Sequence, residues 1–156
     1  MEMRLPAFMM FSLTALVIII NCDGLSTGTA RGDSVSLGDS LNGNQTLISK
    51  NGTFELGFFS PNGSNNWYVG IWYANTSEQI IVWVANRESP AKNKPGVLKL
   101  SIEGELGLFD AEDTSLWSVN ISHKCSRAVL LDSGNFILLS NKNNSKIDWQ
   151  SFDFPA

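Results

Sequence analysis

The chain has 156 residues, with 11 Lys or Arg against 15 Asp or Glu and a formal net charge of −4. That length holds one domain of ordinary size. No basic stripe is present and there are one histidine and two cysteines in all, which argues against a nucleic-acid partner and a Cys/His metal cluster.

The N-terminal segment stands apart. Arg4 precedes Phe8–Ile20, an uncharged and almost wholly apolar run of 13 residues. A membrane-spanning helix needs about 20 residues, whereas the apolar region of a signal peptide needs roughly 7–15. The run is therefore read as a signal-peptide helix within residues 1–24, with cleavage after Gly24 or as late as Ala30. No second run of spanning length follows, so no membrane span is expected after signal removal. Cys22 leaves with this segment or sits at its edge, which deprives Cys125 of a partner. Cys125 is then a free or intermolecular thiol or, the preferred reading, a small buried hydrophobe. Arg31-Gly32-Asp33 spells an adhesion tripeptide at the junction, lacks motif context and is read as coincidence.

Asn44, Asn51, Asn62, Asn75, Asn120 and Asn143 each head an Asn-x-Ser/Thr triplet. One such triplet arises easily by chance. Six behind a signal peptide predict an exported glycoprotein with those asparagines on accessible surface.

Beyond Asp33 the pattern is short alternation broken by turn residues. Phe54, Leu56 and Phe58 alternate with Glu55 and Gly57; Leu98, Leu100 and Ile102 alternate with Lys99 and Ser101. These are half-buried strands. Asn51-Gly52, Glu103-Gly104 and Ser133-Gly134 mark hairpin turns. Four residues before each glycine stand Ile48, Leu100 and Leu130; two and four after stand Phe54/Leu56, Leu106/Leu108 and Phe136/Leu138. One hairpin is written three times, and each copy leads to a tryptophan: Trp83, Trp117 and Trp149, at spacings of 34 and 32 residues. The first copy is longer, and its aromatic run Trp67–Tyr73 is expected to form an inserted hairpin arm. Trp67, Tyr68, Trp72 and Tyr73 are read as packing residues before sugar-stacking ones. The three hairpins predict three similar sheets around one axis. The abrupt stop after Phe154-Pro155-Ala156 suggests a truncated gene model or the front of a longer protein.

Catalysis finds no support. His123 is the sole histidine and reads as a surface residue. Glu103/Glu105 and Glu112/Asp113 could suggest glycosidase chemistry, yet are read as covering exposed turns. Phosphate-binding glycine loops are absent, and no cofactor or metal is implied.

Four blocks carry a family resemblance. Gly43–Phe59, Ile81–Glu88, Leu130–Asn135 and Trp149–Asp153 resemble, in order, the bulb-type (mannose-binding) lectin domain of plant G-type lectin S-receptor-like serine/threonine-protein kinases. The resemblance covers about 33–156, which is assigned as that domain. It implies an all-β fold, a β-prism of three short antiparallel sheets with a pseudo-threefold internal repeat. It also implies a position outside the cell and mannose-type glycans as the ancestral ligand; in complete members a membrane helix and a kinase follow.

The family's sugar word, Gln-x-Asp-x-Asn-x-Val-x-Tyr, falls on Ser49, Asn51, Thr53, Glu55 and Gly57 in the first hairpin. In the second it falls on Ser101, Glu103, Glu105, Gly107 and Phe109, and in the third on Leu131, Ser133, Asn135, Ile137 and Leu139. Of these, Asn51, Thr53, Ser101, Glu103, Glu105, Ser133 and Asn135 are the candidate sugar contacts. Only Asn135 keeps the amide of the word, and a leucine cannot replace the glutamine's hydrogen bonds. A glycan on Asn51 would also obstruct the first site.

The expected function is a non-catalytic extracellular recognition module with degenerate mannose sites. It would engage a glycan, glycoprotein or peptide, or pair with another receptor. The alternative is a secreted lectin with working mannose sites.

Overall fold

The computed structural model describes residues 29–119, 121, 125–140 and 146–155. The apolar run Phe8–Ile20 read as a signal peptide, Cys22, His123 and the sequon residues Asn120 and Asn143 lie outside the described residues. Three hairpins set the plan. β4 (Gln45–Ile48) pairs with β5 (Phe54–Phe59), β9 (Val97–Leu100) with β10 (Leu106–Phe109), and β12 (Cys125–Leu130) with β13 (Phe136–Ser140), all antiparallel. Gly52, Gly104 and Gly134 take φ of 74°, 87° and 82°, which L side chains rarely adopt. Each glycine amide donates to the carbonyl three residues back, on Ser49, Ser101 and Leu131.

The N-terminal stretch stitches the sheets together. β1 (Thr29–Ala30) joins β4 in parallel, β2 (Ser34–Ser36) joins β12, and β3 (Ser40–Asn42) joins β9. One short segment thus gives one strand to every sheet. The Arg31 guanidinium donates to the Ser40 carbonyl, and the Gly32 carbonyl accepts from the Ile48 amide. The adhesion-like tripeptide is therefore built into the sheet framework.

The other edges are β11 (Ser115–Ser118) against β10 and β14 (Ile147–Gln150) against β13, followed by a 3-10 turn at Ser151–Asp153. The first sheet also holds β6 (Asn66–Tyr73), β7 (Ile81–Val84) and β8 (Ala91–Lys92). The architecture is a β-prism with one hairpin at the heart of each sheet.

The core lies between the sheets. Leu56, Leu100, Leu106, Leu108, Leu130 and Leu138 are buried to within 1% of fully, as the repeat predicts. Around the same axis Trp83, Trp117 and Trp149 meet edge to face, with ring centroids 6.2, 6.1 and 5.9 Å apart. This geometry favours aromatic attraction and seals the centre with large apolar surfaces.

Three local expectations need correction. The aromatic run is not a protruding arm: β6 lies inside the first sheet, paired with β5 from Phe54↔Tyr73 to Phe59↔Tyr68 and with β7 on its other side. Its Val69 and Ile71 are buried, which ties the strand to the core. Ile102 does not extend β9 and is 73% exposed, because the turn closed by Ser101 and Gly104 takes over after Leu100. Ile48 does not match Leu100 and Leu130. The first hairpin carries one extra residue after its turn: the Ser49 amide donates to Phe54, whereas Ser101 and Leu131 donate to the residue four ahead, Glu105 and Asn135. The Ser49 hydroxyl accepts from the amides of Thr53 and Phe54. This β-bulge shifts the strand by one residue, so Leu47 enters the core opposite Leu56 and Ile48 stays half-buried.

Candidate functional site

Strand alternation puts most of the family's sugar-contact positions on the outward faces of the three sheets, whereas Ser49, on the Leu47 side of the first hairpin, and Asn135 are buried. The structure does not gather them into one site. Each sheet presents its own set, and the three sets differ in what covers them.

On the first sheet the face is occupied by the protein itself. The Trp72 indole N–H donates to the Glu55 carboxylate at 3.1 Å, and Trp72 is only 7% exposed. Gly57 and Gly70 face each other across β5 and β6. A side chain on Gly57 would meet Thr46 at 2.7 Å and the Trp72 ring at 3.1 Å; one on Gly70 would meet the Phe59 ring at 2.6 Å. Phe59 stacks on Tyr68 and meets Trp72 edge-on. The aromatic strand thus folds its own rings over the surface where the repeat would place a sugar. Ser49 is buried and spends its hydroxyl on the bulge. Asn51 and Thr53 are exposed at the turn, where the Asn51 amide donates to Asp132 at 2.7 Å and links the first hairpin to the third.

On the third sheet the retained amide is turned inward. Asn135 is 6% exposed. Its Nδ2 donates to Gln150 at 2.9 Å, and its Oδ1 accepts from the Ser151 hydroxyl at 3.1 Å and the Phe152 amide at 3.3 Å. Ser133 is exposed, and its hydroxyl accepts from the Asn135 amide. Leu131 and Leu139 are half-buried and Ile137 is buried. This face offers apolar side chains where the word has polar ones.

The second sheet differs. Lys99, opposite Gly107, and Phe109, two pairs further on, share its outward face, with Ser40 and Ser118 continuing the Lys99–Gly107 row on either side. Here a groove of about 480 Å³ opens. Ser101, Glu105, Gly107 and Phe109 line it from the hairpin, and Asp39 and Ser40 from the N-terminal stretch. The Ser101 hydroxyl accepts from the Glu105 amide, whose carboxylate stays exposed. Lys99 pairs with Asp113 at 2.6 Å and lies 4.9 Å from the centre of the Phe109 ring. Glu103 is exposed at the turn. The contributions of Asp39, Ser40 and Lys99 escaped the sequence reading. Lys99 was signalled by its alternation with Leu98 and Leu100; Ser40 starts a strand about 60 residues away in sequence and Asp39 directly precedes it, and no local pattern connects them to the hairpin.

A second cavity, of about 500 Å³, lies where the three tryptophans converge. Phe154 stacks on Trp149, and its carbonyl accepts from the Trp83 indole at 2.9 Å. The chain's last described residues thus close over the aromatic axis.

Residues 80–156 match the family model of the D-mannose binding lectin. The chain is also 40% identical over 152 residues to the receptor-like serine/threonine-protein kinase SD1-8 of Arabidopsis thaliana, a match covering 94% of this chain. The chain belongs to the bulb-type lectin domains. The G-type lectin S-receptor-like serine/threonine-protein kinase SRK of Arabidopsis thaliana is 45% identical over 121 residues, 74% of this chain. The bulb-type domain described here spans only 17% and 14% of the length of these two relatives. A solved monomeric monocot mannose-binding lectin from Gastrodia elata superposes with a TM-score of 0.58 at 19% identity, covering 80% of this chain and 99% of that one. That likeness speaks to the fold.

Among the described residues, no group of three His, Cys, Asp or Glu side chains is placed to hold a metal ion, and no helix is long and apolar enough to cross a membrane. Cys125 is a fully buried free thiol. Burial first, and the Asp148 charge second, push its pKa up to about 11.

Proposed function

We infer that this bulb-type lectin domain is a non-catalytic recognition module working outside the cell, with mannose sites that have decayed unequally. One observation carries the reading: of the three faces, one is filled by Trp72 and Phe59, one has its amide bonded inward, and one keeps an open groove. Recognition is assigned to the second sheet, through Ser101, Glu105 and Phe109. Asn51, Thr53, Glu103 and Ser133 stand at the turns as rim contacts at most. Asn135 acts as a structural amide. In a longer receptor this module would face the extracellular space, and alone it would be secreted.

Export is supported by the four described sequon asparagines, Asn44, Asn51, Asn62 and Asn75, which are all exposed. Expressed through a plant secretory system, the protein should lose mass on treatment with a peptide-N-glycosidase that tolerates plant glycans. An unchanged mass with Met1 intact would contradict export.

Calorimetric titration with mannose and a mannose oligosaccharide tests the decay. Affinity no better than about millimolar is expected, because one or two net hydrogen bonds support little more for a small neutral ligand. Micromolar mannose binding abolished by Asn135→Ala would establish a working lectin instead.

A further inference from the structure

The largest excess of negative charge among the described residues gathers on the turns around one sheet. Between Val97 and Val119 stand five carboxylates, Glu103, Glu105, Asp110, Glu112 and Asp113, against the single cation Lys99. Asp39 adds a sixth carboxylate at the groove. Over all other described residues, seven Lys or Arg balance seven Asp or Glu. The acidic sheet is the one whose outward face is open.

We propose that the groove on the second sheet docks a basic segment of a partner protein, taking a lysine or arginine side chain between Asp39 and Glu105 with its stem along Gly107 and Phe109. This rests on the second sheet being the recognition face. The groove already holds one such group. The Lys99 ammonium lies over the Phe109 ring at 4.9 Å and on Asp113 at 2.6 Å, which is how an aromatic face and a carboxylate together receive a cation. Asp39 and Glu105 lie outside that internal pair, and no ion pair engages either of them among the described residues. A neutral sugar would cover these carboxylates without compensating their charge, whereas a cation offsets the desolvation. Gly107 keeps the floor clear: a side chain there would meet the Phe109 ring at 2.8 Å. With the largest excess of carboxylates around this sheet, a basic partner is also steered toward this face.

The secreted full chain is titrated by calorimetry, at low and physiological salt, with an end-blocked peptide alternating lysine and alanine and with the same peptide after acetylation of its lysines. Binding of the unmodified peptide alone is expected, weakening with salt. The double variant Asp39→Asn/Glu105→Gln should lose at least tenfold in affinity. Phe109→Leu should lose severalfold at unchanged net charge, and Phe109→Tyr should recover it. Lys99→Met removes the internal competitor and should bind at least threefold tighter. Glu112→Gln, on the same sheet but outside the groove, should change affinity less than twofold. Thermal melts confirm that each variant is folded.

Three results would overturn the docking proposal: no binding by the folded parent chain, equal losses in Glu112→Gln and the double variant with none in Phe109→Leu, or preference for a glucosamine oligomer over the lysine peptide. The first two leave the mannose titration untouched, so failure here and failure of the recognition reading are separable.

Discussion

The Ser151 hydroxyl donates to the Asn135 carboxamide oxygen at 3.1 Å, and both residues are buried. The same hydroxyl accepts from the Phe136 amide at 2.9 Å, so one side-chain pair ties the start of β13 to the 3-10 turn after β14. Asn135→Ala would leave buried polar groups unmatched. It should destabilise the domain by about 2 kcal/mol in urea unfolding while leaving mannose titration unchanged. A loss of sugar binding at unaltered stability would return Asn135 to a contact role.

Leu106 faces Leu100 across the second hairpin, and neither has any exposed surface. Leu106→Ala should cost about 2–5 kcal/mol, as cavity-forming core truncations do. The matching change at Ile102, which is 73% exposed, should cost less than about 0.5 kcal/mol. Equilibrium denaturation of the two variants side by side checks both values.

Gly70 has room for nothing larger. A side chain there would lie 2.6 Å from the Phe59 ring and 2.9 Å from the Trp83 carbonyl, and the carbonyl belongs to the paired strand and cannot swing aside. Gly70→Ala should lower stability by about 1–3 kcal/mol. It should also release Phe59 from Trp72, seen as a change in near-ultraviolet circular dichroism. An unchanged spectrum and melting temperature would mean the first face is less tightly filled than the geometry implies.

Cys125 makes the domain sensitive to alkali. Its thiol titrates near 11 when folded and at an ordinary 9.0 when exposed. The folded chain therefore keeps a proton that the unfolded chain releases, and stability is complete below about pH 9 and falls as pH rises toward 11. The full effect is about 2–3 kcal/mol. In Cys125→Ala this part of the pH dependence should vanish. Thiol reagents at neutral pH should leave the native parent unmodified and label it after denaturation.

The position of β1 constrains processing. Cleavage after Gly24 keeps Thr29 and Ala30 paired with Gln45 and Thr46; cleavage after Ala30 removes them. N-terminal sequencing of the secreted protein should find a first residue upstream of Thr29, and a start at Arg31 would reject this.

The sequence by itself determined the repeat, the turns and the core. Glycines needing positive φ, apolar residues at fixed offsets from them and a tryptophan after each hairpin are local signals, and local backbone chemistry reads them directly. Leu106, Leu108 and Leu138 could be placed in the core before any contact was known. The fate of each of the three outward faces was decided by tertiary structure alone. Trp72 covers the first face because β6 is threaded into the sheet rather than projecting from it. Asn135 turns inward because Ser151, 16 residues later, is brought back beside it. The groove on the second sheet exists because a strand at Ser40–Asn42 pairs with β9 and carries Asp39 and Ser40 to its wall. The bulge in the first hairpin, likewise, is set by the hydroxyl of Ser49, which accepts from the amides of Thr53 and Phe54, and by which leucine the core accepts. All of these depend on cross-strand register and on contacts distant in sequence, and a pattern of neighbouring residues carries no record of either.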